Sequence, residues 1–430
     1  MDYATFLASK ARTTPDAGVI IDPADLHPSL FGFQRDLVAW AAKKGRAAIW
    51  ADTGLGKTRM QIEWARMMGH KTLIVAPLAV TAQTIEEASA LGIDVSYARS
   101  TAEVTGPLTI TNYERTDAFD PAMFGAVVLD ESSILKNFEG KTRSALIRQW
   151  KDTPCRLACS ATPAPNDVTE LANHAEFLGV MPRNEMLAAY FVHDDDGWRP
   201  KRHAVGHMYE WMSGWAAAVR RPSDMGHPEE DGLYDLPPLT FRQHVVGVNE
   251  SPEGQLFAVD LGGVGGRSRV RRSTLDARCE RTAELVNAND DPWVVWCGLN
   301  DEADMLARLI PGAVNVQGND TPETKAEQLM SFAHGEFRVL ITKPSIAGMG
   351  LNFQHAAHMA FTGLSDSYEA YYQAVRRCWR FGQKRPVHVH IIVSELEQQI
   401  VANVQHKETE AARMTQALID AMHKETITNV

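Results

Sequence analysis

Short apolar runs rich in branched and aromatic residues alternate, twice along the chain, with longer stretches of helical periodicity. That is the pattern of parallel sheets covered by helices on both faces. In the first half the runs Ala47 to Trp50, Thr72 to Ala76, Leu108 to Thr111, Ala126 to Leu129 and Arg156 to Cys159 predict strands. In the second half Trp293 to Cys297, Ala313 to Val316, Val339 to Thr342, His358 to Phe361 and Val387 to Val393 do the same. Two doubly wound α/β lobes follow, the first over 1–180 and the second over 250–394. Between them, over 181–249, Asp, Pro, Gly, Trp and His replace clean periodicity, and Asp194-Asp195-Asp196-Gly197 reads as a loop tip, which predicts an inserted, bridging segment. Trp198, Trp211 and Trp215 within it are expected to pack rather than to stack on bases. The tail, 395–430, places Ile400, Val401, Val404, Ala411, Met414, Leu418 and Met422 near helical spacing and predicts one or two helices folded back on the lobes.

The first of these strands runs into Ala51-Asp52-Thr53-Gly54-Leu55-Gly56-Lys57-Thr58, and a helical pattern begins immediately after it. Strand, glycine-bearing loop and helix in this order form a phosphate cradle, the Walker A arrangement. Glycines let backbone N–H groups close on phosphate oxygens, and the helix N-terminus favours the anion. Asp52, Thr53, Gly54, Leu55, Gly56, Lys57 and Thr58 are the predicted nucleotide-binding residues, with Lys57 on the β- and γ-phosphates of ATP and the Thr58 hydroxyl on Mg²⁺. A second strand, Ala126 to Leu129, delivers Asp130 and Glu131 at its carboxyl end, where open parallel sheets bind ligands. Asp130 is placed to hold Mg²⁺ and Glu131 to deprotonate the attacking water. One lysine, one metal-holding acid and one base suffice for phosphoryl transfer, which needs positioned charge more than covalent chemistry.

Composition narrows the class without changing it. The chain has 430 residues, 44% hydrophobic and 23% charged, ordinary values for a folded protein of two or three domains. Its formal net charge of −11 argues against a general nucleic-acid binder, so any such path must be a local basic groove. Arg267 to Arg272 and Arg199-Pro200-Lys201-Arg202 are the local concentrations of positive charge. The five cysteines are scattered and read as buried reduced thiols rather than disulfides or a zinc site. No apolar run approaches membrane-spanning length, and Met1 to Lys10 lacks a signal-peptide layout, so a cytoplasmic protein is expected. Gly262-Gly263-Val264-Gly265-Gly266 has neither a strand before it nor a Lys-Ser/Thr pair after it and reads as a loop.

With these motifs the chain resembles the superfamily-two helicases, and within them the Swi/Snf-like DNA-dependent ATPases, especially short phage-encoded versions. The resemblance runs from about Phe31 to Lys407. Leu30-Phe31-Gly32-Phe33-Gln34 is similar to the adenine-reading motif, which implies that Gln34 bonds the base. Ile74-Val75-Ala76-Pro77 and Ile110-Thr111-Asn112-Tyr113-Glu114 resemble strand-end elements that grip nucleic acid, implying Pro77, Thr111 and Tyr113. Asp130-Glu131-Ser132-Ser133, followed by Lys136-Asn137, is similar to the Asp-Glu-x-His box, with Ser133 where histidine is usual. Ser160-Ala161-Thr162-Pro163, with Asn166, resembles the element that couples the lobes, and Gly348-Met349-Gly350-Leu351-Asn352 the element that touches nucleotide through Gly350 and DNA through Asn352. Gln373 to Gln383, with Gln373, Arg377 and Arg380 at offsets zero, four and seven, is similar to the arginine-finger helix.

The resemblance implies tandem RecA-like lobes and an ATP- and Mg²⁺-dependent motor, expected as a monomer, that moves on DNA, duplex favoured, without reading sequence. Replication or recombination proteins are the partners such an engine would meet, in a host cytoplasm if phage-encoded. An RNA or single-strand track is the alternative within this class. An ATP-gated clamp without turnover is the alternative outside it, disfavoured by the joint presence of Lys57, Asp130, Glu131, Gln373 and Arg380, and a small-molecule kinase leaves the second sheet unexplained. Asp301-Glu302-Ala303-Asp304 imitates a helicase signature in the wrong half and reads as the start of a helix.

Overall fold

The computed structural model describes residues 15–136, 140–195, 197–247, 272–347 and 352–428. Gly350, Asn137, the Gly262–Gly266 run, most of the Arg267–Arg272 run and Met1 to Lys10 lie outside them. The chain forms two compact units, Met1–Tyr234 with Thr409–Val430, and Asp235–Glu408.

In the first unit β1 (Arg46–Ala51), β2 (Thr72–Ala76), β3 (Ser96–Tyr97), β4 (Leu108–Asn112), β5 (Ala126–Asp130) and β6 (Cys155–Cys159) join a later strand in one sheet. A small antiparallel hairpin, β7 (Phe191–Asp194) with β8 (Gly197–Pro200), stands apart from it, and β9 (Ala216–Val219) is the later strand. The order is β3-β4-β2-β5-β6-β1-β9, and each neighbouring pair is parallel. Successive residues of a strand face opposite sides. Accordingly Ala48 and Trp50 lie in one apolar core, while Ala47, Ile49 and Ala51 lie in the other. Both faces are covered by helices, which is why these strands read as unbroken apolar runs.

The second unit holds β10 (Leu239–Val246), β11 (Trp293–Cys297), β12 (Val314–Asn315), β13 (Val339–Thr342), β14 (His358–Thr362) and β15 (Val387–Ser394), all parallel, in the order β10-β15-β14-β11-β13-β12. The fold is thus two parallel-sheet α/β lobes of RecA-like type.

All the expected strands are present, while β3, β9, β10 and the β7–β8 hairpin are additional. The stretch expected as a bridging segment is shared out. β9 extends the first sheet beside β1, and β10 pairs with β15 over eight residues at the edge of the second. Trp211 and Trp215 are buried in the first unit, as expected of packing residues, whereas Trp198 is 41% exposed and meets His193 edge-on across the hairpin. The tail is one helix, Gln398–Thr428, whose Met414, Leu418, Ile419 and Ala421 enter the first unit's core. All five cysteines are buried and free. No described helix is long and apolar enough to cross a membrane.

Candidate nucleotide site

The carboxyl edge of the first sheet gathers the candidate residues of that lobe. β1 ends in the loop Asp52 to Gly56, and helix Lys57–Met67 starts directly after it. Gly54 and Gly56 sit at φ of 93° and 80°, a region that L side chains rarely adopt. A Cβ on Gly56 would stand 2.4 Å from Gln34 Nε2. Lys57 Nζ donates to the carbonyls of Ala51 at 2.9 Å and Asp52 at 3.3 Å, within its own loop. Asp52 in turn accepts the Thr53 N–H at 2.6 Å. Thr58 is half-buried on the helix's first turn. Gln34, almost fully buried, uses both ends of its amide, donating to Leu55 O at 2.9 Å and accepting from Phe31 N at 3.0 Å. It therefore ties the loop to helix Gly32–Lys44.

β5 ends on Asp130, which is buried, and burial followed by the neighbouring Glu131 carboxylate pushes its carboxyl up to about 7, against the pull of Lys57, the Gln61 amide and the Glu131 N–H. Gln61, wholly buried one turn beyond Lys57, faces that carboxylate without a hydrogen bond of normal geometry. Glu131 is the only described non-glycine residue with positive φ, at 52°. Such backbone costs about 1 to 3 kcal/mol and persists where its surroundings over-determine it, typically at functional positions. Its Oε2 is buried with no hydrogen-bond partner. Two adjacent acids near a lysine, one oxygen unsatisfied, suit a divalent cation and a water. No described group of three or more His, Cys, Asp or Glu side chains holds a metal alone. Mg²⁺ needs only one or two protein ligands when phosphates and waters complete its shell.

The other strand-end residues divide by burial. Pro77 is half-buried and caps helix Leu78–Ala90, and Asn166 is exposed, with its N–H and Nδ2 on the Glu170 carboxylate at 3.1 and 2.9 Å. Thr111, Ser160 and Thr162 are buried, and Ser160 Oγ accepts the Thr162 N–H at 3.0 Å. Tyr113 is buried too, its hydroxyl donating to Asp130 O at 2.6 Å, so it props the acid-bearing strand end. Burial, then Asp130 and Glu131, push its phenol well above the usual range.

Sequence reasoning missed several supports. Asn173 and His174, on helix Leu171–Leu178, hold the turn after Glu131, and the signal was a polar pair set among Leu171, Ala172 and Ala175. Glu230 caps helix Gly32–Lys44 by accepting the Gly32 and Phe33 N–H groups at 2.7 and 3.2 Å. Tyr234 meets Phe31 and Phe33 edge-on at 5.8 and 5.6 Å. Nothing in the local sequence marks this contact across nearly 200 residues.

In the second unit, helix Tyr368–Cys378 starts at Ser367, whose side chain accepts the Ala370 N–H. Gln373 is half-buried, Arg377 is buried with Nε on the Gln373 carbonyl at 3.2 Å, and Arg380 is half-buried just past the helix end. Gln383 closes the stretch structurally, its Nε2 bonding the carbonyls of Gln354, Ala356 and Cys378. Asn352 is exposed. Glu302, of the signature-like run, accepts the Gly298 and Leu299 N–H groups and pairs in the interior with Arg278 at 2.7 Å, a helix cap and buried ion pair as expected of a non-catalytic residue.

Residues 278–382 match the family model described as the helicase conserved C-terminal domain. Among curated proteins none matches the chain. Among solved structures the chain is similar to the SWI2/SNF2 ATPase core of Sulfolobus solfataricus in complex with dsDNA, at 17% identity over 93% of this chain and 96% of that one, with a TM-score of 0.45. The second unit thus carries a region that matches the helicase conserved C-terminal domain, while the first carries the Lys57 loop and the Asp130–Glu131 pair.

Proposed function

We propose that the protein is a Swi/Snf-like motor that hydrolyses ATP to move along duplex DNA without reading its sequence. The observation that carries this is the meeting, at one sheet edge, of the Lys57 loop with the buried Asp130 and the strained Glu131. Lys57 exchanges the Ala51 and Asp52 carbonyls for phosphate oxygens. Asp52 to Gly56 present backbone N–H groups to the same anion, and Gln34, now engaged with Leu55 O, stands ready at the adenine. Thr58 and Asp130 would hold Mg²⁺, which would supply charge neutralisation at the phosphates. Glu131 takes the proton of the attacking water with the oxygen that now lacks a partner. The resemblance assigns nucleotide-contacting roles to Gly350 and Gln373 and the arginine-finger role to Arg380, whose charge would answer that developing on the transferred phosphoryl group, a contribution of about 10³ to 10⁵ in rate. Closure on ATP and release after hydrolysis then become a stroke, passed to DNA by Pro77, Asn166 and Asn352, with the buried Thr111, Tyr113, Ser160 and Thr162 supporting the strand ends.

The test is steady-state ATPase of the full chain with duplex DNA, single-stranded DNA and RNA at one fixed salt concentration, since affinity for nucleic acid varies steeply with salt. Stimulation greatest with duplex DNA is expected, together with displacement of a third strand from a triplex. Lys57→Ala and Glu131→Gln should be inert in both assays. Full turnover by Glu131→Gln removes Glu131 as the base, and stimulation by RNA alone replaces the track.

A further inference from the structure

Glu131 carries the strained backbone, yet the residue after next, Ser133, does little to hold it: its Oγ lies 3.5 Å from Glu131 O. The restraint comes from farther along the chain. Upstream of the strained residue, Tyr113 grips Asp130 O. Downstream, Asn173 Nδ2 donates to Leu135 O at 2.8 Å and approaches Lys136 O at 3.4 Å, while His174 Nε2 lies 3.1 Å from Ser132 Oγ. His174 is fully buried, and its ring meets Trp50 edge-on at 5.6 Å, so it touches both β1, which leads into the phosphate loop, and the turn that follows β5. Burial drives its pKa down to about 4, with contacts to Glu170 and Ser132 opposing, so the ring is a neutral partner under ordinary conditions. The same helix is tied at its start to Asn166, through the Glu170 carboxylate one turn before His174.

We propose that His174, assisted by Asn173, is a positioning residue for Glu131: through Ser132 it fixes the turn that aims the base, and it links that aim to the segment containing Ser160, Thr162 and Asn166. The inference rests on Glu131 being the base. A fully buried polar side chain bonded to the neighbour of a strained acid has a defined task, because misaiming a reacting group by about an ångström costs on the order of a hundredfold in rate. His174 touches neither phosphate nor water in this scheme and acts only through Ser132.

The experiment compares His174→Leu, His174→Gln, Ser132→Ala and the double variant Ser132→Ala/His174→Leu in the full chain, measuring DNA-stimulated kcat, KM for ATP and melting temperature. Leucine fills the ring's space and drops the hydrogen bond; glutamine restores a polar atom near Nε2. We expect His174→Leu to lower kcat by about tenfold to a hundredfold, with KM for ATP and melting temperature nearly unchanged. His174→Gln should recover most of the rate, and the double variant should be no slower than the worse single one, as for residues acting as a unit. If His174→Leu does not fold, Ser132→Ala alone decides, with the same expected fall in kcat. An unchanged kcat, a glutamine variant as slow as leucine, or a loss of rate that tracks loss of melting temperature overturns the proposal. Should Glu131→Gln be inert while all His174 and Ser132 variants stay fast, this inference fails and the assignment of the base stands; should Glu131→Gln stay fast, the base assignment itself has failed.

Discussion

The two lobes bury charge in different ways. In the first, Asp130 is enclosed beside Glu131, with Lys57 as the attractive charge acting on it, the Glu131 backbone is strained, and one carboxylate oxygen has no hydrogen-bond partner. In the second, the fully buried Arg278 is matched on every side: Glu302 at 2.7 Å, Thr362 O at 3.1 Å, Thr274 Oγ1 at 3.1 Å and Glu397 at 3.6 Å. Unsatisfied buried charge is destabilising and is retained where a ligand completes it. Satisfied buried charge belongs to the scaffold. The comparison separates a lobe shaped for chemistry from one shaped to present a few side chains on a firm body.

The sharpest way to break that comparison is at the two arginines of the second lobe. Arg380, half-buried past the helix end, should supply the finger, whereas Arg377, 6% exposed and bonded to its own helix, should belong to the scaffold. We expect Arg380→Ala to lower kcat by about 10³ or more with ATP still bound. Arg377→Ala should first lower the melting temperature of the second lobe. Nucleotide binding, turnover and differential scanning on the two variants decide it, and a stable but inactive Arg377→Ala would exchange the roles.

The next effect tests the scaffold alone. Removing either member of the Arg278–Glu302 pair leaves the other charge enclosed and should cost about 3 to 5 kcal/mol. Asp301→Ala, at an exposed neighbour, should be close to neutral. Hydrogen exchange resolved by lobe reads both, and a silent Glu302→Ala would mean that the pair is not a support of the second lobe.

How much of this was legible in the residues follows from where the signal lies. Chemistry written in contiguous motifs, such as Gly54 to Thr58 after β1 or Asp130-Glu131 after β5, is visible because strand, loop and acid must be neighbours in sequence to be neighbours in space. Two of the strands missed show why. β9 is four residues, Ala-Ala-Ala-Val, without the branched side chains that mark a strand, and β10 is an edge strand whose Arg242, Gln243 and His244 break the apolar run. Supports acting across long separations are harder to see: Glu230 on the cap of helix Gly32–Lys44 leaves no local trace, and His174 shows only as one of a polar pair whose partner, Ser132, the folded sheet alone reveals. For the same reason Tyr113 read as a contact residue, while its burial makes it a prop.

The smallest effect sets one buried imidazole of the first lobe against several in the second. Trp293, His358 and His388 form a row of rings across β11, β14 and β15, with successive centroids 4.8 and 5.0 Å apart, and Thr240 Oγ1 meets His388 Nδ1 at 2.7 Å. Beside them His390 stacks on His244, Nδ1 to Nε2 at 3.0 Å, which requires one lone pair to face one N–H. Burial, then His244, His358, Arg242 and His388, drive His390 down to about 4, and burial also lowers His244 and His358, the latter opposed by Asp291. Arg281 and Arg385 add positive charge nearby. An imidazole whose folded pKa lies below its unfolded value of about 6.5 contributes stability above that pH and loses it as the pH falls through the folded value. His390 alone should therefore withdraw about 2 to 3 kcal/mol from the second lobe between pH 6.5 and 4. His174, also near 4, acts in the same direction on the first lobe, but as a single ring with no second imidazole to repel it. Acid titration followed by lobe-resolved hydrogen exchange should show the second lobe opening first, and His390→Gln should flatten its pH dependence while leaving that of the first lobe unchanged. A second lobe as steady as the first down to pH 5 would mean that the stacked imidazoles share their protons without cost, and that the contrast between the lobes ends at the nucleotide.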